Sequence, residues 1–242
     1  MEKSNNVLYE ITKEELSLTL VPKNNYTKKY SYALIWLTGL EEASDYYLDM
    51  FSRSPYLLPH PEITKIIILC GEKMKVTAFK FDEDGDEECH SWFDVCTMFM
   101  INENNVDSIN FEDVDKSTKR ISEVIEKEAQ YLQGYNNIFL GGFSQGACMS
   151  LHIGLSYHKP LGGIIACSGA LFPRTLINNE NIRIFISHGD LDDRIMKDIH
   201  DLSIKRIIHL PNIELHYYPS IGHEIEQKVL TDLNKFFYNY MK

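Results

Sequence analysis

The chain has 242 residues, 44% hydrophobic and 24% charged, with a formal charge of −11. That apolar content is enough for a packed core and excludes a disordered chain. The acidic surface repels phosphate backbones, which argues against nucleic acid as a partner.

The opening residues, Met1-Glu2-Lys3-Ser4-Asn5-Asn6, carry no apolar segment of the signal-peptide kind. Glu2 does not suit myristoylation and Tyr240-Met241-Lys242 is no prenylation box, so a cytoplasmic protein is expected. Five cysteines, at 70, 89, 96, 148 and 167, lack metal-site spacing and read as reduced, core-filling thiols.

In chain order, short apolar runs predict strands at 16–21, 32–37 and 65–70. The run Ile66-Ile67-Ile68-Leu69-Cys70 suits a buried strand and is too short to cross a bilayer. The acidic stretch 82–88 reads as a solvated loop, an insertion spanning about 82–90. A helix is predicted over 113–132, with apolar Val114, Ile121, Val124, Ile125 and Leu132 and with Gly134 as its C-cap. Then come a strand at 137–140, a buried helix at 145–157, strands at 162–167, 183–187 and 213–218, and an amphipathic helix at 224–240. Strand alternating with helix predicts an α/β fold, a mostly parallel twisted sheet with helices on both faces. With no repeat and no linker rich in Pro, Gly or Ser, residues 1–242 read as a single domain.

The chemistry concentrates at Gly142-Phe143-Ser144-Gln145-Gly146, between an apolar strand and a buried helix. A nucleophile elbow needs this arrangement: a tight strand-to-helix turn that exposes a serine, with glycines where the backbones pass closely. Serine needs a base, and the base needs a third group to hold it. On this fold the chain order is Ser, acid, His. The strand at 183–187 runs into His188-Gly189-Asp190-Leu191-Asp192-Asp193, which leaves Asp190, Asp192 and Asp193 open as the acid. The last strand leads to Gly222-His223, so His223 is the expected base, whereas His188 and His216 read as structural.

Leu140-Gly141-Gly142-Phe143-Ser144-Gln145-Gly146-Ala147 resembles the elbow of acyl-protein thioesterases and the related small carboxylesterases and lysophospholipases of the α/β-hydrolase fold. Ser91-Trp92-Phe93-Asp94 and His188-Gly189-Asp190-Leu191-Asp192 resemble two further segments of that family. The resemblance implies Asp192 as the acid and an oxyanion hole made by the backbone N–H groups of Leu40 and Gln145. It implies hydrolysis of fatty acyl thioesters, with S-acylated proteins or lipid esters as substrates met in transient contact with a membrane surface. It implies neither metal nor cofactor. Trp92, Phe93 and Met98 are candidates to line an acyl groove, against the alternative of ordinary core packing. The same residues would serve a general carboxylesterase or lysophospholipase.

Two departures stand out. Where the family has His-Gly-Leu-Gly-Asp this chain has Thr38-Gly39-Leu40-Glu41-Glu42, and the proline after the acid is replaced by Asp193. The altered early loop motivates a further alternative, an inactive hydrolase retained as a lipid- or protein-binding module.

Overall fold

The computed structural model describes residues 8–23, 30–53, 57–80, 87–97 and 108–241. A hairpin opens it, β1 (Tyr9–Glu14) and β2 (Ser17–Pro22), in antiparallel register from Tyr9 opposite Pro22 to Glu14 opposite Ser17. β3 (Tyr32–Leu37) and β4 (Thr64–Leu69) follow, then the short antiparallel pair β5 (Glu72–Met74) and β6 (Cys89–Ser91), which stands apart from the main sheet. β7 (Ile138–Phe143), β8 (Gly163–Cys167), β9 (Ile184–Gly189) and β10 (Ile213–Tyr218) complete an eight-stranded sheet in the order β1-β2-β4-β3-β7-β8-β9-β10. β2 meets β4 antiparallel, and every pairing from β4 to β10 is parallel.

Successive strand side chains point to opposite faces, and here both faces are apolar. Along β3, Ala33, Ile35 and Leu37 join one core while Leu34 and Trp36 join another. β4 divides likewise, Ile67 and Leu69 from Ile66 and Ile68. Helices cover the two faces separately. α2 (Phe111–Leu132), α3 (Gln145–Ser156) and α4 (Lys197–Ile204) bury Ile121, Ile125, Leu151, Ile153 and Ile199 in the first core. α1 (Leu48–Arg53) and α5 (Gln227–Tyr240) bury Phe51, Leu233, Phe236 and Phe237 in the second. The sheet with helices on both faces is the architecture expected from the sequence.

Some local readings differ. α2 begins at Phe111, where the Asn110 side chain accepts the N–H groups of Glu112 (3.0 Å) and Asp113 (3.4 Å). Its left-handed C-terminal residue is Gln133 (φ 57°) rather than Gly134, whose N–H instead closes back onto the Ala129 carbonyl at 2.9 Å. β1 escaped the sequence reading because only Tyr9 of its six residues is buried, so it carries no apolar run. Cys70, Cys148 and Cys167 are buried free thiols, but Cys89 is half-buried and Cys96 exposed. Within the acidic stretch, residues 82–86 lie outside the described ones. Among the described residues no helix is long and apolar enough to cross a membrane.

Candidate active site

Three loops at the C-terminal ends of parallel strands converge, as crevices of open α/β sheets do. The first follows β7. Ser144 turns the chain into α3 at φ 54° and ψ −119°, backbone that costs a non-glycine residue about 1–3 kcal/mol. Its neighbours make the turn feasible. A Cβ on Gly146 would stand 2.2 Å from the Leu37 carbonyl oxygen, and one on Gly142 would stand 2.5 Å from the Gly146 carbonyl carbon. The Ser144 N–H is tied to the Cys167 carbonyl on β8 at 3.0 Å.

The second loop follows β9 and carries Asp192; the third follows β10 and carries His223. They are laced together by Asp190 N–H to the Tyr218 carbonyl and Leu191 N–H to the Ile221 carbonyl, each at 3.0 Å. The result is a continuous row: Asp192 Oδ2 to His223 Nδ1 at 2.8 Å, and His223 Nε2 to Ser144 Oγ at 2.8 Å. Asp192 Oδ1 accepts the N–H groups of Arg194 (3.0 Å) and Ile195 (2.8 Å), which fixes the carboxylate plane. Burial pushes the Asp192 carboxyl up, but His223, the Ile195 N–H and His188 outweigh it and hold the group below its ordinary range. It is therefore ionised at neutral pH. Of the three aspartates left open by the sequence, only Asp192 joins the row; Asp190 and Asp193 are exposed.

His188 is buried behind this row. Its ring stacks on His200 at 4.0 Å between centroids, and its Nε2 lies 3.9 Å from Asp192 Oδ2. Burial, reinforced by His200, pushes its pKa down to about 4 and keeps the ring neutral. His216, half-buried, stacks on Phe185 at 5.0 Å between centroids, away from the row.

Ser144 and His223 open into a cleft of about 770 Å³ whose walls include Leu40, Glu42, Tyr46, Met50, Ile225 and Leu230. A second cavity of about 700 Å³ holds Asn136, Asn179, Arg183 and Tyr240 but no serine, histidine or aspartate. Leu40 and Gln145 both line the first cleft. As the first residue of α3, Gln145 has an N–H with no partner inside the helix, at the positive end of the helix dipole.

The early loop accommodates its unusual residues. Glu41 adopts the left-handed φ of 67°, at the position where the resembled family has glycine. Glu42 folds back so that its Oε2 accepts the Gly39 N–H at 2.5 Å and the Tyr47 hydroxyl at 2.7 Å. Burial raises the Glu42 pKa, although those two donors and His223 pull the other way. The sequence reading missed Glu42 and Tyr47 as cleft residues. The only signal was the Glu42 departure itself, since the 3-10 turn Ser44–Tyr47 that delivers the tyrosine has no distinctive pattern.

Trp92 and Phe93 need correction. Expected to line an acyl groove, both are fully buried and neither belongs to the cleft wall. Phe93 packs edge-on against Phe172 at 5.2 Å, and Trp92 spends its indole N–H on the Thr38 carbonyl at 2.8 Å. Those contacts, with the Ser117 hydroxyl donating to the Trp92 carbonyl at 2.6 Å, hold the segment in the core. Met98 lies outside the described residues. Among the described residues, no group of three or more His, Cys, Asp or Glu side chains is arranged to hold a metal ion.

Comparisons with known proteins bear on the family and the fold. Acyl-protein thioesterase 1 of Yarrowia lipolytica is 28% identical over 152 residues, covering 59% of this chain and 65% of that protein. Its counterpart from Mycosarcoma maydis is 25% identical over 242 residues, covering 90% and 95%. The matched stretch thus spans less than two thirds of the Yarrowia protein's own length. The crystal structure of Arabidopsis thaliana SOBER1 superposes with a TM-score of 0.73 at 22% identity, covering 87% of this chain and 99% of that one, a likeness of fold. The profile described as phospholipase/carboxylesterase matches residues 27–241, from before β3 through α5. With the sheet order, the strand-to-helix serine turn and that match together, the chain belongs to the phospholipase/carboxylesterase family, on an α/β-hydrolase fold.

Proposed function

We propose that this chain is a serine hydrolase that removes fatty acyl groups from S-acylated protein cysteines. The observation that carries the reading is the row Asp192–His223–Ser144, with both bonds at 2.8 Å, ending in an open cleft. Relatives named acyl-protein thioesterase 1 support the choice of thioester.

In the proposed reaction His223 Nε2 takes the Ser144 proton as Oγ attacks the acyl carbonyl carbon. The carbonyl oxygen becomes an oxyanion and accepts the N–H groups of Leu40 and Gln145. The tetrahedral adduct collapses and the carbon–sulfur bond breaks. The sulfur leaves with the proton from His223, and an acyl ester remains on Ser144. Water then enters, His223 takes its proton, and a second collapse frees the fatty acid and restores the serine hydroxyl. Asp192 keeps the imidazole oriented and stabilises its charged form throughout. The enzyme is read as cytoplasmic, meeting its substrates at a membrane surface.

Side-by-side kinetics on an S-palmitoyl peptide and a lysophospholipid test the substrate class. The thioesterase reading predicts a kcat/KM at least about tenfold higher on the peptide, a transition-state preference of about 1.4 kcal/mol. The reverse preference would mark a general carboxylesterase or lysophospholipase built on the same groups.

A further inference from the structure

An oxyanion hole works only if its donors are held where the charge will develop, because reorganising them during the reaction forfeits the stabilisation. The two donors proposed above come from separate elements. Leu40 follows β3, and Gln145 opens α3 after β7. Something must fix their spacing.

One short segment touches both. The Gln145 side chain is completely buried. Its Oε1 accepts the Trp92 backbone N–H (3.0 Å) and lies 3.1 Å from the Ser91 hydroxyl, which also reaches the Phe93 carbonyl (2.8 Å), while its Nε2 donates to the Phe93 carbonyl (3.1 Å). On the other side, the Trp92 indole N–H donates to the Thr38 carbonyl at 2.8 Å, and the His90 carbonyl accepts the Glu41 N–H at 2.8 Å. Leu40 is thus bracketed by bonds at residues 38 and 41, both to the segment that grips Gln145.

The segment is itself anchored. Ser91 pairs with Glu72 across the β5–β6 ladder, and the Ser117 hydroxyl donates to the Trp92 carbonyl at 2.6 Å. The Arg120 guanidinium lies 4.9 Å from the centre of the Trp92 ring. Burial alone does not demand such bonds. Trp36, equally buried, has an indole nitrogen with no partner among the described residues.

We infer that His90–Phe93, centred on Trp92, is a positioning clamp that sets the distance between the two oxyanion donors. The inference deepens the proposed hydrolase reading and rests on it. Trp92 is a positioning residue, acting through Thr38 and Gln145 without touching substrate.

The test compares Trp92→Phe with Trp36→Phe, which loses similar buried volume but no hydrogen bond. Steady-state hydrolysis of p-nitrophenyl butyrate is followed beside thermal melting, with Ser144→Ala as the blank. The clamp predicts that Trp92→Phe lowers kcat by about 10- to 100-fold, below the loss of a whole donor. KM should stay within about twofold, and Trp92→Phe should melt lower than Trp36→Phe because it also strands the buried Thr38 carbonyl. Replacing Trp92 with benzothienylalanine, which exchanges only the indole N–H for sulfur at constant shape, should reproduce the kcat loss even where the phenylalanine variant folds poorly. A Trp92 variant that keeps its kcat, or one whose loss merely equals that of Trp36→Phe, overturns the clamp alone. A parent chain no faster than the Ser144→Ala blank overturns the hydrolase reading and the clamp with it.

Discussion

Asp192 accepts the Nδ1–H of His223 at 2.8 Å, and this bond decides which imidazole nitrogen faces Ser144. An ionised carboxylate can only accept, so Nδ1 carries the proton and Nε2 turns a lone pair toward the hydroxyl. Asp192→Asn offers an amide that can donate instead and so favours the wrong tautomer. We expect kcat on an activated ester to fall about 10³- to 10⁴-fold with little change in KM. Steady-state kinetics, with melting to verify the fold, check it.

Glu42 ties the early loop by accepting the Gly39 N–H and the Tyr47 hydroxyl. Glu42→Gln keeps a carbonyl oxygen for both donors, whereas Glu42→Leu strands them, at about 1–3 kcal/mol each. The pH dependence follows from the raised Glu42 pKa. The folded chain holds this proton more tightly than the unfolded one, so the group's contribution is full at low pH and is lost as pH rises through the folded value. Urea melts of parent and Glu42→Gln should therefore diverge in the variant's favour as pH rises from the ordinary carboxylate value of 4.5 toward neutrality.

Lys65 and Glu128 form a buried pair at 2.6 Å, with side chains 14% and 2% exposed, and the Tyr30 hydroxyl also donates to Glu128. Lys65→Met leaves the carboxylate buried without its cation and should cost about 3 kcal/mol or more. The double variant Lys65→Met/Glu128→Leu removes both charges and should recover most of that loss. Denaturant melts of the three chains measure it.

How much of this was legible in the sequence depended on how local each signal was. Ser144 and its glycines sit in one short segment between a strand and a helix and could be read directly, although the close approach that requires Gly146 is to the distant Leu37 carbonyl. β3 and β4 were legible because burial on both faces leaves a continuous apolar run. His223 could be read from chain order after the last strand, but the aspartates could not be separated by spacing. Only the folded loop shows that Asp192 is held by the Arg194 and Ile195 N–H groups and meets the imidazole. Trp92 misled because an aromatic near a site looks the same in sequence whether it faces ligand or core. Its role depends on Thr38 and Gln145, each more than fifty residues away. The Glu42–Tyr47 bond was hidden for a different reason, since it needs a short 3-10 turn with no periodic signature.

The central claim is that the hydroxyl of Ser144 is activated by His223 and accessible to an acyl carbonyl. Intact-protein mass spectrometry after treatment with a fluorophosphonate, followed by peptide mapping, tests it most directly. One adduct per chain, on Ser144, absent in Ser144→Ala and slowed by orders of magnitude in His223→Ala, is the predicted result. A parent chain that stays unlabelled, or an adduct that persists unchanged in Ser144→Ala, would contradict the account.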